Sequence, residues 1–235
     1  MSVTTTAATS SAGLWKRAFD PVFFLGVAVA TLWSDLAPGH AAVISKLWPM
    51  GLLVAHLALR LRAREVNRAM AVPFLFGLVA STLGDVVIAY AFVGGIAAFL
   101  VAHLAYLTAM GRPRVRSWLH APAALPALAI GGTMAFILVR GGRLPEPLFV
   151  PVVVYMAVIS TMLARATGRA LVDTRAPESR LFLAGAAMFV VSDALIALSK
   201  WVVDIPHPRA AILVTYFLAQ RLLLAGVEPA EPPRD

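Results

Sequence analysis

The sequence predicts an all-α polytopic membrane protein, a bundle of eight transmembrane helices arranged as two four-helix halves. Three observations predict it. Hydrophobic residues fill 60% of the 235 positions and charged residues 14%, whereas soluble domains run at roughly half and a quarter. Residues 69–111 are 43 positions with one formally charged side chain, Asp85, which is more apolar sequence than a single core helix uses and enough for at least two spans. The third observation is an internal repeat, described below.

Charge-poor stretches alternate with short Arg, Pro and Gly clusters, and each stretch is long enough to cross a hydrocarbon layer of ~30 Å. In order they fall near residues 20–36, 41–60, 70–91, 95–111, 121–139, 148–166, 181–200 and 209–226. The connections are short, as at Val93-Gly94-Gly95 and Arg140-Gly141-Gly142-Arg143, so consecutive helices are expected to be antiparallel neighbours. Residues 1–18 and 228–235 read as disordered cytoplasmic tails, the first rich in Ser, Thr and Ala and the second in Pro, around a transmembrane domain over 19–227. Lys16-Arg17 before an apolar run resembles a signal peptide, but the long preceding tail and the continuation of the run through Trp33 favour an uncleaved first span.

Cytoplasmic loops retain Lys and Arg during insertion. With eight spans, the termini and the loops after the second, fourth and sixth helices share one face. That face carries 15 of the 20 basic residues, Arg165 and Arg169 among them. The opposite face carries four, Arg140, Arg143, Lys200 and Arg209, and Lys46 lies inside a span. Both termini are therefore expected to be cytoplasmic, and the net charge of +8 reflects topology rather than nucleic-acid binding. The Ala- and Arg-rich composition points to a bacterial cytoplasmic membrane.

The repeat relates Gly77 and Asp85 to Gly185 and Asp193, with Asp85-Val86-Val87-Ile88-Ala89 matching Asp193-Ala194-Leu195-Ile196-Ala197 at an offset of 108 residues. The same shift brings Lys46 near Tyr155 and Tyr106 near Tyr216. Matching helices run in the same direction, as in parallel repeats about an axis along the membrane normal.

Polar groups inside spans cost several kcal/mol unless they pair, face water or serve function. Lys46, Asp85, His103, Tyr106, Tyr155, Asp193, Tyr216 and Gln220 fall at depths of roughly 8 to 17 Å from the non-cytoplasmic end at ~1.5 Å per residue. One shared polar chamber explains a common depth better than scattered structural bonds do. Asp85 with Lys46 also reads as a neutralising pair, His103 as a packing residue and the tyrosines as aromatic filling. Two carboxylates with one ammonium share charge unequally, so one carboxyl is expected to hold a proton near neutrality while the other is ionised.

Other chemistries find little support. Cysteine is absent, which removes thiolate metal sites, disulfides and a cysteine nucleophile. Ser81 and Ser192 lack the glycine-flanked elbow of serine hydrolases. His40, His56, His120 and His207 lie at differing depths, so neither a metal nor another cofactor is expected. No phosphate loop or dinucleotide fingerprint is present.

Lys46-Leu47-Trp48-Pro49, Gly84-Asp85 with Ala102-His103-Leu104-Ala105-Tyr106, Gly185 through Ser192-Asp193-Ala194-Leu195, and Tyr216 with Ala219-Gln220 together resemble the YhhN-like family of lysoplasmalogenases, over about residues 40–226. The resemblance implies a multi-span membrane hydrolase that cleaves the vinyl ether of lysoplasmalogen-type lysophospholipids to a fatty aldehyde and a glycerophospho-alcohol. It implies that Asp85 and Asp193 are the catalytic carboxylates. Lys46, His103, Tyr106, Tyr155, Tyr216 and Gln220 would then support or bind the lysophospholipid among membrane lipids, with no cofactor. A proton-coupled or lipid transporter that uses the buried Asp pair, and a non-catalytic lipid-binding scaffold, are the competing expectations.

Overall fold

The computed structural model describes the backbone of residues 3–36, 39–111, 121–141, 143–172 and 174–230. The described residues form eight α-helices: α1 Val3–Leu36, α2 His40–Arg62, α3 Arg68–Val87, α4 Phe92–Met110, α5 Ala121–Gly141, α6 Glu146–Val172, α7 Pro177–Trp201 and α8 Pro208–Ala225. Every one contains a stretch long and apolar enough to cross a membrane, so the chain is an eight-span integral membrane protein. Large apolar side chains such as Leu25, Leu32, Phe76, Leu125 and Val150 point outward, as a lipid-facing surface requires.

Packing follows a closed order. The contacts run from α2 to α3, α4, α6, α7, α8 and back to α2, with α1 laid against α2 and α8 and α5 against α6 and α7. Exchanging α2, α3 and α4 for α6, α7 and α8 maps this ring onto itself, while α1 against α8 and α5 against α7 do not follow the same exchange. The two tightest pairs, α3 with α4 and α7 with α8, close through glycine. A Cβ on Gly77 would enter the ring of Tyr106, and one on Gly185 would lie 2.7 Å from the backbone nitrogen of Leu223 and 3.0 Å from the carbonyl oxygen of Ala219.

Several boundaries differ from expectation. The backbone of α1 is helical from Val3, well before the expected start of the first span, and α3 ends at Val87 rather than near 91. Ala91 N–H still donates to the Val87 carbonyl, so the chain turns helically for one more turn before α4. The longest extension is at α6, which continues to Val172, past the expected end at 166. Arg169 consequently lies on that helix rather than in a loop, and both Arg165 and Arg169, counted above with the cytoplasmic-face charges, are buried. Arg165 Nη2 and Arg169 Nη1 both donate to the carbonyl of Met110, at 3.2 and 3.0 Å, where the C-terminus of α4 leaves acceptors without helical partners. Arg169 also pairs with the Glu228 carboxylate.

That pairing anchors the segment after α8. The Asn67 N–H donates to the Glu228 carbonyl at 2.9 Å, the Ala230 N–H donates to the Glu65 carbonyl at 3.1 Å, and Val66 bridges Pro229. Residues 228–230, expected in a disordered tail, are thus strapped to the α2–α3 connection. Residues 231–235 lie outside the described residues, as do Arg112, Arg114 and Arg116 of the α4–α5 connection. On the same arginine-rich side, Arg221 of α8 makes two hydrogen bonds to the Asp20 carboxylate of α1, at 2.7 and 3.1 Å.

The glycine contacts generate a prediction. Gly185→Ala forces backbone apart and is expected to cost about 1–3 kcal/mol, read as a lower Tm in detergent. Gly51→Ala, with nothing within 4 Å of its Cβ, should leave Tm unchanged or raise it by the helix propensity gain of up to about 1 kcal/mol.

Candidate active site

The predicted polar residues sit on six helices, but Lys46, Asp85, Tyr155, Asp193 and Tyr216 alone lie in the half of the bundle away from the arginine-rich connections. His103, Tyr106 and Gln220 fall past the midpoints of α4 and α8, so the expected single layer is two. Lys46 is six residues into α2, Tyr155 nine into α6 and Tyr216 eight into α8, while Asp193 is eight residues before the end of α7. His103, Tyr106 and Gln220 are deeper, eleven, fourteen and twelve residues from the starts of α4, α4 and α8. Asp85 lies two residues from the end of α3, shallower than expected because that helix stops early.

Asp85, Asp193, Lys46, Tyr155 and Tyr216 all line one cavity of about 180 Å³. Its remaining wall is chiefly apolar, with Ile96, Phe99, Met134, Val152, Met156 and Ile159 prominent. His103, Tyr106 and Gln220 do not reach it. They are fully buried directly behind it.

Each carboxylate is held by a phenol from another helix. Tyr216 donates to Asp85 Oδ2 at 2.7 Å and Tyr155 donates to Asp193 Oδ2 at 2.6 Å. A buried carboxylate without such donors would carry a large desolvation penalty, and a phenol at this depth needs an acceptor. The Asp85 side continues inward. Tyr106 donates to Gln220 Oε1 at 2.8 Å, and Gln220 Nε2 donates to the Tyr216 hydroxyl at 3.4 Å. Because Tyr106 has one hydrogen and gives it to Gln220, Ser81 must be the donor in its 3.2 Å contact with the Tyr106 oxygen. The result is a directed chain from Ser81 through Tyr106, Gln220 and Tyr216 that ends on Asp85, and hydrogen bonds aligned in series polarise one another.

Asp193 has no comparable support beyond Tyr155. His103 stands behind that pair, its ring edge-on to the Tyr155 ring at 5.3 Å and to Phe189 at 4.6 Å. His103 Nδ1 lies 2.7 Å from the Phe99 carbonyl and must carry the hydrogen there, which leaves Nε2 as an acceptor without a partner among the described residues. Lys46 and Asp85 face the same cavity, but they are not joined by a hydrogen bond or an ion pair within 4 Å. The two are therefore not a contact pair, and the ammonium acts on the Asp85 carboxylate through the cavity that they share.

Sequence reasoning named the carboxylates, the tyrosines and Gln220 but missed much of what surrounds them. Ser81 drew notice only as a poor nucleophile, whereas its hydroxyl starts the chain to Asp85. Met50 Sδ packs 3.5 Å from the Tyr216 hydroxyl. Ser192 lines the cavity but donates to the Ile212 carbonyl at 3.2 Å, so its proton is committed to backbone. Ser160 lines it also, under Gly131, where a Cβ would collide with the serine oxygen. Among the described residues no three His, Cys, Asp or Glu side chains gather to hold a metal ion.

A chamber walled by hydrocarbon and carrying two supported carboxylates suits acid and base chemistry on an apolar substrate. The comparisons with known proteins agree with a shared architecture. The model of the YhhN family matches residues 41–227. The protein named Lysoplasmalogenase TMEM86B from Sus scrofa is 29% identical over 218 residues, covering 92% of this chain and 87% of its own. Lysoplasmalogenase TMEM86A from Bos taurus is 32% identical over 225 residues, covering 92% and 90%. Lysoplasmalogenase TMEM86A from Homo sapiens is 34% identical over 173 residues, covering 66% and 65%. No solved structure matches the chain. The matched stretch takes in the helices from α2 to α8 that enclose both carboxylates, and the chain belongs to the YhhN family.

Proposed function

We propose that this protein is an intramembrane hydrolase that cleaves the vinyl ether of lysoplasmalogen-type lysophospholipids. The observation that carries this reading is the pair of carboxylates, Asp85 and Asp193, opening into one apolar cavity, each braced by a tyrosine. It occurs in a chain whose relatives bear the name lysoplasmalogenase.

Vinyl ether hydrolysis needs three things: a proton for the outer alkene carbon, a negative charge beside the cation this creates, and water. Protonation of that carbon draws the alkene π electrons into the new C–H bond and leaves the ether carbon electron-deficient, and donation of an oxygen lone pair makes it an oxocarbenium ion. Water adds to the ether carbon, loses a proton, and forms a hemiacetal. The hemiacetal collapses as the glycerol oxygen takes up a proton and leaves, giving a fatty aldehyde and the glycerophospho-alcohol. The division of labour resembles that of paired carboxylates in glycoside hydrolysis.

The surroundings of the two groups favour one assignment. Asp85 ends a chain of aligned donors and faces the Lys46 ammonium, an environment that supports an anion, so it serves as the base and as the counter-charge to the oxocarbenium ion. Asp193 receives one phenol hydrogen bond on Oδ2, which leaves Oδ1 to carry a proton into the cavity as general acid. Tyr155 fixes the orientation of that carboxyl, and Tyr216 with Gln220 fixes that of Asp85. The concentration of basic residues on the opposite face supports an orientation with both termini cytoplasmic and the cavity toward the outer leaflet.

Three outcomes test the reading. Asp85→Asn and Asp193→Asn should each lower aldehyde release from a lysoplasmalogen by about 10²–10⁴-fold, the usual worth of a positioned acid or base, while the purified variants keep the wild-type elution profile and Tm within a few degrees. A transporter would instead show lipid flux in liposomes and no aldehyde. Tyr155→Phe and Tyr216→Phe, which remove one hydrogen bond to a carboxylate, should lower kcat by about 10–100-fold with smaller changes in KM. In D2O the fresh aldehyde should carry one solvent deuterium on the carbon beside the carbonyl, scored by mass spectrometry before enolisation; its absence would rule out carbon protonation.

A further inference from the structure

Next to the carboxylate cavity lies a second chamber that the proposed chemistry does not use. Its volume is about 490 Å³, and its polar lining comprises Ser34, His40, Lys46, Tyr90 and Arg209. These come from the end of α1, the start of α2, the turn after α3 and the start of α8, all on the face with few charges. Lys46, Ile212 and Leu213 belong to both chambers, so the ammonium stands at the doorway between them.

The charge of this vestibule is one-sided. Arg209 and Lys46 line it, and no Asp or Glu does among the described residues. The Arg209 guanidinium spends one N–H on the Ser34 carbonyl, at 3.3 Å, out of the five it offers. On the far wall His40 Nδ1 and the Tyr90 hydroxyl hold each other at 2.6 Å. Only four basic residues flank the spans on this face, where membrane insertion disfavours cations, so the placement of those that remain calls for a reason. Two cations that line one open chamber, with no carboxylate in its lining among the described residues, form a site for an anion.

We infer that the vestibule is a phosphate subsite, in which Arg209 and Lys46 hold the headgroup phosphate of a lysophospholipid while its chain occupies the carboxylate cavity. In such a lipid the glycerol backbone alone separates the ether oxygen from the phosphate. Phosphate bound at Arg209 and Lys46 therefore leaves the ether to pass the doorway toward Asp85, and the chain to run along Phe99, Met156 and Ile159. The planar fork of arginine suits two phosphate oxygens at once, whereas lysine acts as a point charge. The inference rests on the proposed hydrolysis for the position of the ether, but not for the phosphate contact itself.

A binding measurement separates the two. Full-length protein in detergent is titrated calorimetrically with a saturated alkyl-ether lysophospholipid, which it cannot cleave, and with the alkylglycerol of the same chain, which lacks phosphate. Arg209→Gln is expected to weaken the lysophospholipid by about tenfold or more and to leave the alkylglycerol affinity unchanged, and Arg209→Lys to restore part of the loss. Equal weakening of both ligands, or of neither, would overturn the subsite. Inorganic phosphate at millimolar concentration should fail to displace the lysophospholipid; displacement would reassign the vestibule to a free anion. Wild-type protein that binds through Arg209 in this way yet releases no aldehyde from a lysoplasmalogen would sink the hydrolase reading alone and leave the subsite standing.

Discussion

The interaction on which the arrangement depends is the hydrogen bond from a tyrosine to a buried carboxylate, made twice. A carboxylate taken out of water must recover its hydration from the protein, and in a helix bundle the donors have to come from neighbouring helices. Tyr216 ties α8 to α3 at Asp85, and Tyr155 ties α6 to α7 at Asp193. These bonds set which helices must touch and at what height. They also explain why the polar side chains cluster: each additional member, Gln220, Tyr106 and Ser81, satisfies a group that the previous one leaves exposed to hydrocarbon.

Close helix approach makes that chain possible. The Tyr106 ring lies flat against the space where Gly77 has no side chain, which brings the phenol across to α8. It also stacks on Phe74 at 4.6 Å, so its position is fixed from two sides. At the arginine-rich end, a different set of contacts closes the bundle. Arg165 and Arg169 both satisfy the Met110 carbonyl at the end of α4, and Glu228 of the strap pairs with Arg169. The bundle is thus pinned by ionic contacts at one end and opens into chambers at the other, with an apolar core of Phe182, Phe74, Leu78 and Phe217 between them.

Much of this was legible in the sequence because bilayer physics restricts the code. Eight apolar stretches had to become eight helices, and Asp85, Asp193, Tyr155 and Tyr216 stood out because polar groups in hydrocarbon need a partner, water or a function. Lys46 was legible as a member of the layer but not as a doorway, since its position between two chambers depends on the ends of α1 and α8. The fate of Arg165 and Arg169 was not legible either: a basic residue near a span end reads as a loop charge, and only the longer α6 turns both inward. Glu228 and Pro229 read as tail for a similar reason, because a short polar segment carries no periodicity and its structure comes from partners 160 residues away, such as Asn67. Ser81 and Ser192 show the limit from the other direction. Their identity invites a nucleophile, and only their hydrogen-bond partners show where the protons go.

The same partners bear on why a vinyl ether, rather than an ester, is the bond such a chamber suits. Ester cleavage requires a nucleophile and donors aimed at a developing oxyanion. Ser192 gives its hydrogen to the Ile212 carbonyl, and no histidine lines the cavity among the described residues. A vinyl ether makes the opposite demand. Charge develops as a cation, so the chamber needs an anion and a proton source instead of an oxyanion hole. In the proposed reaction, two carboxylates in unequal settings, one backed by a relay of donors and an ammonium and one held by a single phenol, would supply that combination.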